Sequence, residues 1–100
     1  TDLPDKIRTG LFRIFQESLT NVARHAAAKR TDVSLSLQDH ELVLLIEDDG
    51  KGFNTTDIGH HKLGILGMKE RAIMMGGTYT IHSSRGKGTI TDVIVPIGKV

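Results

Sequence analysis

One hundred residues with a formal net charge of +1 and 38% hydrophobic content fit one small domain with a single core. A charge this near neutrality gives no electrostatic case for nucleic acid, and 4% aromatic content without tryptophan disfavours a base-stacking surface. The lack of cysteine excludes disulfides and thiolate metal sites, no apolar run is long enough to span a bilayer, and no secretory signal pattern is present.

The chain begins abruptly at Thr1-Asp2-Leu3-Pro4, as expected of a fragment cut from a longer protein. From about Lys6 to Ala28 the pattern is helical. On a wheel of about 100° per residue, Leu11, Phe12, Phe15, Leu19, Val22, Ala23 and Ala26 form one arc, read as the core stripe. Glu17, Asn21, Arg24 and His25 lie opposite, with Ile14 intruding among them. A hydrogen-bonded Glu17/Asn21 pair and a solvated Arg24 are the simpler account of that polar face. Asn is a mediocre helix former, however, and its place here asks for a reason.

Thr31–Leu37 alternates, with Val33, Leu35 and Leu37 on one face, and predicts a half-buried strand. Gln38-Asp39-His40-Glu41 makes the turn of a hairpin, and Leu42–Asp48 returns antiparallel. Side-chain alternation puts Leu42, Leu44, Ile46 and Asp48 on one face, so a carboxylate ends a core-facing row. Burying it is costly unless something pairs with it. Gly50 and Gly52 follow, where a backbone can turn tightly and come close to a ligand. Ordinary turns share this pattern, and so do calcium loops, but the alternating oxygen ligands and closing Glu that calcium requires do not follow.

Residues 54–62 are polar and aperiodic, as in a loop that closes over a ligand. Within it His60-His61, without a carboxylate–histidine cluster nearby, reads as solvated rather than metal-binding. The next helix opens at Leu63-Gly64-Ile65-Leu66-Gly67-Met68 and stops at Gly76-Gly77, with Ile65, Met68, Ala72 and Met75 as its core stripe. Gly64 and Gly67 near its start fit either an anion held by free N–H groups or close helix packing. Tyr79–Ser83 and Thr89–Val95 are two more strands around Ser84-Arg85-Gly86-Lys87-Gly88, and Pro96 ends the last.

Taken together, these segments resemble the ATP-binding fold shared by gyrase, the heat-shock chaperone ATPase, MutL and the histidine kinases. Glu17-x-x-x-Asn21 with Arg24-His25 is similar to its N box, and Asp48-x-Gly50-x-Gly52 to its first glycine box. Gly64-x-x-Gly67-Met68-x-Glu70-Arg71 is similar to the second, and Gly86-x-Gly88-Thr89 to the terminal element. The Glu-Ser-Leu-Thr-Asn-Val-x-Arg-His and Gly-Met-x-Glu-Arg forms resemble sensor histidine kinases that signal to NarL-type response regulators. The likeness covers roughly residues 4 to 97.

The resemblance implies an α/β (α+β) two-layer sandwich over residues 1–100 as a single domain. Its sheet is expected to be mixed and mostly antiparallel with helices on one face, the family's first strand being truncated at the N-terminus. It implies ATP as substrate and Mg²⁺ as cofactor. Asp48 accepts from the adenine amine, Gly50 and Gly52 shape the adenine side, and Asn21 ligates Mg²⁺, with Glu17 catalytic or orienting a metal-bound water. Arg24 and His25 lie near the nucleotide; Gly64, Ile65, Leu66 and Gly67 border the phosphates under a lid of residues 54–63, and Thr89 closes the pocket. The implied reaction moves the γ-phosphoryl of ATP to a histidine on a dimerisation and phosphotransfer domain of the same protein. That histidine is not expected among His25, His40, His60, His61 and His82. The chain itself is expected to be a monomeric cytoplasmic domain, and the parent a homodimer, membrane-anchored or soluble, relaying phosphate to a regulator aspartate. An anti-sigma-factor serine kinase on the same fold and a non-catalytic nucleotide-binding or docking scaffold are the alternatives.

Overall fold

A computed structural model describes residues 3–53 and 62–97, without the side chains of His25, Ala26 and Lys62. Helix α1 (Asp5–Asn21) starts behind Pro4, whose carbonyl accepts from the N–H groups of Ile7 and Arg8 at 3.0 and 3.1 Å. It passes directly into a π-helical turn, Val22–Ala26, closed by Ala27 in the left-handed region (φ 51°). Strands β1 (Thr31–Gln38) and β2 (Glu41–Asp48) form a hairpin whose two turn residues, Asp39 and His40, both have positive φ (51° and 65°). That conformation matches the twist of the flanking strands. Helix α2 (Lys62–Met74) ends in a glycine cap: Gly76, at φ 80°, donates to the Ile73 carbonyl, and Gly77 to that of Ala72. Strands β3 (Thr78–Ser83) and β4 (Thr89–Pro96) complete a four-stranded sheet in the order β1-β2-β4-β3. Every pairing among the described strands is antiparallel.

Both helices pack on one face of this sheet, as expected of the two-layer sandwich. Leu42, Leu44 and Ile46 of β2 and Val93 and Val95 of β4 meet Ile7, Leu11 and Ile14 of α1 and Met68 and Ala72 of α2, with Met75 just beyond. The core stripe expected for α1 holds only in part: Leu11 is in the core and Phe15 packs against it, but the buried face is rotated away from the rest of that arc. The buried positions are Ile7, Gly10, Leu11, Ile14 and Ser18, while Phe12 is 58% exposed. Ile14, which had looked like an intruder on the polar face, is fully buried. The sheet-facing side is therefore rotated toward Glu17 and Asn21, with Leu11 and Phe15 of the apolar arc still packed against the core.

A second correction concerns β1. Val33, Leu35 and Leu37 pair with Ile46, Leu44 and Leu42 and so stand on the core side of the sheet. They are nevertheless 43–59% exposed, because β1 is an edge strand that the two helices leave uncovered.

Candidate functional site

The buried row of β2 ends where alternation placed it: Leu42, Leu44, Ile46 and Asp48 all point into the core, and Asp48 is 8% exposed. Its Oδ1 accepts from the Gly50 N–H at 2.8 Å, a local turn that fixes the carboxylate and leaves Oδ2 without a protein partner among the described residues. Asp48 lies opposite Thr89, and the next pairs along the same face are Ile46–Thr91 and Leu44–Val93. Between this surface and the helices lies a cleft of ≈ 560 Å³, counting the part open to solvent. Asp48, Gly52 and Thr89 line it from the sheet end, Asn21 from the end of α1, and Ile65 from the start of α2.

The loops that frame the cleft interlock. Gly52 and Gly88 both have positive φ (62° and 75°), and a Cβ on Gly88 would fall 2.0 Å from the Asp48 carbonyl oxygen. A Cβ on Gly52 would fall 2.1 Å from the Ser84 carbonyl oxygen. Only glycines let the β3–β4 turn lie directly on the loop after Asp48. Ser83 bolts the two together: its Oγ accepts from the Phe53 N–H at 2.9 Å, donates to the Gly88 carbonyl at 3.1 Å, and lies 2.8 Å from Thr89 Oγ1.

Asp49 performs a similar task on the other side. Its Oδ1 accepts from the backbone N–H groups of Lys29 and Arg30 at 2.8 and 2.9 Å, tying the segment after the π turn to the Asp48 loop. The Arg30 amide, then that of Lys29, holds the Asp49 carboxyl below the usual carboxylate value. A depressed folded-state pKa contributes stability that is present above the unfolded value and lost as pH falls through the folded one. Asp49→Ala is therefore expected to lower the melting temperature by a few degrees near neutral pH, with the gap to the parent closing below about pH 4. Thermal melts of both proteins across pH 3–7 check this.

The remaining predicted residues divide. Glu17 lies in an adjoining groove between the helices with Gly64 and Gly67, bordered by Arg13 and Arg71. A Cβ on Gly64 would sit 3.1 Å from Glu17 Oε2 and 3.9 Å from Asn21 Nδ2, so the glycine lets α2 start against both side chains. Gly67 has open space at its Cα, which removes close helix packing as its purpose. Arg24 is exposed and lines neither the cleft nor the groove, and Leu66, 46% exposed, lines neither as well. The π turn accounts for Arg24: its wider hydrogen-bonding pattern breaks the α-helical spacing past Asn21. The His25 side chain and the lid up to His61 lie outside the described residues.

Sequence reasoning missed part of the cleft lining. Lys51 and Phe53 belong to the glycine loop itself, while Ser18, Met68, Tyr79 and Thr91 form the walls and floor. Thr91 was legible, since it shares the inward face of β4 with Thr89, Val93 and Val95. Tyr79, opposite Val93, has its hydroxyl out of solvent and without a hydrogen-bond partner among the described residues. Burial pushes the phenol up to about 12, against a smaller opposing pull from the nearby Thr91 hydroxyl, so it is neutral at physiological pH. No group of three or more metal-ligating His, Cys, Asp or Glu occurs among the described residues, and none of their helices is long and apolar enough to cross a membrane.

Comparison with known proteins agrees with this fold. The chain is 40% identical over 97 residues to the sensor histidine kinase LiaS of Bacillus subtilis, covering 97% of this chain and 27% of that protein. It is 38% identical over 98 residues to the sensor protein VraS of Staphylococcus epidermidis, covering 98% of this chain and 28% of VraS. It thus spans little more than a quarter of the length of these relatives. Among solved structures, the histidine kinase domain of the Erythrobacter litoralis EL346 blue-light activated histidine kinase superposes with a TM-score of 0.78 at 26% identity, over 97% of this chain and 48% of that one. The ATP binding domain of PrrB from Mycobacterium tuberculosis shares the fold, with a TM-score of 0.75 at 20% identity, over 91% of this chain and 69% of that one. The family model described as histidine kinase-, DNA gyrase B-, and HSP90-like ATPase matches residues 6–99, and the chain belongs to that family.

Proposed function

We propose that residues 1–100 act as one unit, the catalytic ATP-binding domain of a sensor histidine kinase on the cytoplasmic side of the cell. The observation that carries the reading is Asp48: a carboxylate at the closed end of an apolar row, with one oxygen held by Gly50 and the other left for a donor in the cleft. The adenine amine is such a donor. The domain presents the γ-phosphoryl of ATP to a histidine on a dimerisation and phosphotransfer domain of the same homodimeric protein. The bond from the γ-phosphorus to the β,γ-bridging oxygen breaks as ADP leaves, and a P–N bond forms at the histidine ring. An aspartate of a NarL-type response regulator then accepts the phosphoryl group. The Glu-Ser-Leu-Thr-Asn-Val-x-Arg-His segment from Glu17 and the Gly-Met-x-Glu-Arg segment from Gly67 support that partner class.

Positioning and charge neutralisation are what such a transfer asks of a protein. Asn21 and Glu17 fit a Mg²⁺ site: both are hard oxygen donors, one α-helical turn apart, facing the start of α2. Two such donors suit an ion that completes its shell with phosphates and water. When bound, Mg²⁺ neutralises charge on the β- and γ-phosphates. The chain's own residues do the rest: Asp48 and Thr89 hold the base end, and Asn21 and Glu17 hold the phosphate end. Calorimetric titration with ATP, ADP and GTP, with and without Mg²⁺, tests the reading. Adenine-selective binding is expected, tightened for ATP by Mg²⁺; a folded protein that binds no adenine nucleotide refutes it.

A further inference from the structure

The floor of the cleft is more polar than a hydrophobic base requires. Ser18 and Thr91 are 7% and 5% exposed, and the Ser18 hydroxyl makes only a weak hydrogen bond, to Met68 Sδ at 3.4 Å, among the described residues. The Tyr79 hydroxyl has no partner among the described residues. A buried hydroxyl left unsatisfied costs free energy that a phenylalanine of nearly the same shape would avoid. The cleft that Tyr79 lines is the one Asp48 borders. We propose that the Tyr79 hydroxyl reads the base beside Asp48, donating directly or through one water to N1 of adenine.

The choice of N1 follows from how a purine must enter. Its ribose and phosphates leave from N9 toward the Asn21 mouth, so the opposite end of the ring, N1 and the 6-amino group, is deepest. Asp48 as acceptor and Tyr79 as donor then match adenine, which offers a donor amine and an acceptor N1. Guanine offers a 6-oxo acceptor and an N1–H donor, reversed at both positions. A neutral phenol suits the donor role, and the burial that keeps Tyr79 neutral serves the same end. Ser18 and Thr91 line the cleft beside it as anchors for a bridging water.

The inference rests on the nucleotide reading above, and one experiment separates the two. Tyr79→Phe removes the hydroxyl alone, and ATP and 1-deaza-ATP, in which C–H replaces N1, are titrated against parent and variant. The variant is expected to bind ATP about fivefold more weakly. It is expected to bind 1-deaza-ATP as the parent does, since the contact is already gone from the ligand side. Equal affinity of parent and variant for ATP, or equal losses for both nucleotides, overturns the Tyr79 assignment and leaves the ATP site standing. Failure of the folded parent to bind either nucleotide overturns both. Without ligand the variant is expected to melt no lower than the parent; a clear loss of stability means the hydroxyl has a structural partner, and also overturns the proposal.

Discussion

Asp48→Asn is expected to fold as the parent does and to bind ATP about 100-fold more weakly, the cost of turning a charged acceptor into a mismatched donor in a buried site. The local geometry makes the outcome specific. The Gly50 N–H, 2.8 Å from Oδ1, still needs an acceptor, so the asparagine oxygen takes that place. Its NH₂ then occupies the position of Oδ2 and meets the adenine amine, donor against donor. GTP, with an acceptor at position 6, is not opposed in this way. The ratio of ATP to GTP affinity is therefore expected to collapse, while the melting temperature moves little because the substitution keeps shape and the local turn. Parallel calorimetric titrations and thermal melts provide the check. A variant with parental ATP affinity and selectivity would remove Asp48 from the base site.

How much of this site could be read from the sequence depends on how each residue is held. Asp48 was legible because strand alternation is insensitive to context: Leu42, Leu44 and Ile46 announce the inward face, and Asp48 continues it by arithmetic. The glycines were legible as places of close approach, though not that Gly52 and Gly88 serve the same contact between two loops. The α1 face misled because an apolar count assumes that polar residues seek water. Here the sheet-facing side runs Ile7, Leu11, Ile14, Ser18 and then Asn21, changing from core to cleft wall along its length. Phe12, counted as core, is left outside. The π turn carries no local signal: Val-Ala-Arg-His-Ala reads as ordinary helix, and the error passes straight to Arg24. Asp49 with Lys29 and Arg30, and Ser83 with Phe53, are hydrogen bonds to backbone atoms 19 to 30 residues away. Such partners exist only once the chain has folded, and no spacing rule announces them.

Asn21 carries the second large effect. It is the last residue of α1, lines the same cleft as Asp48, and sits beside Gly64 at the start of α2. That position joins the cleft lined by Asp48 to the inter-helix groove holding Glu17, which under the proposed reading receives the phosphates. Asn21→Ala removes an oxygen donor from the metal side and leaves the Asp48 end untouched. ATP affinity without Mg²⁺ is therefore expected to stay within about twofold of the parent, while the gain on adding Mg²⁺ falls by about tenfold or more, in line with the loss of a ligand-shell contact. Phosphoryl transfer to a histidine-bearing dimerisation domain is expected to drop on the order of 100-fold, the scale seen when one group stabilising transition-state charge is removed. Asn21→Asp separates the metal role from a packing role. It restores an oxygen donor of nearly the same shape, so Mg²⁺ dependence should return, although the added charge facing the phosphates keeps transfer below the parent. If Asn21→Ala weakens ATP equally with and without Mg²⁺, the amide supports the cleft wall and the metal is held elsewhere. Glu17, one α-helical turn back and facing the same glycine, is the residue on which the same pair of titrations should then be run.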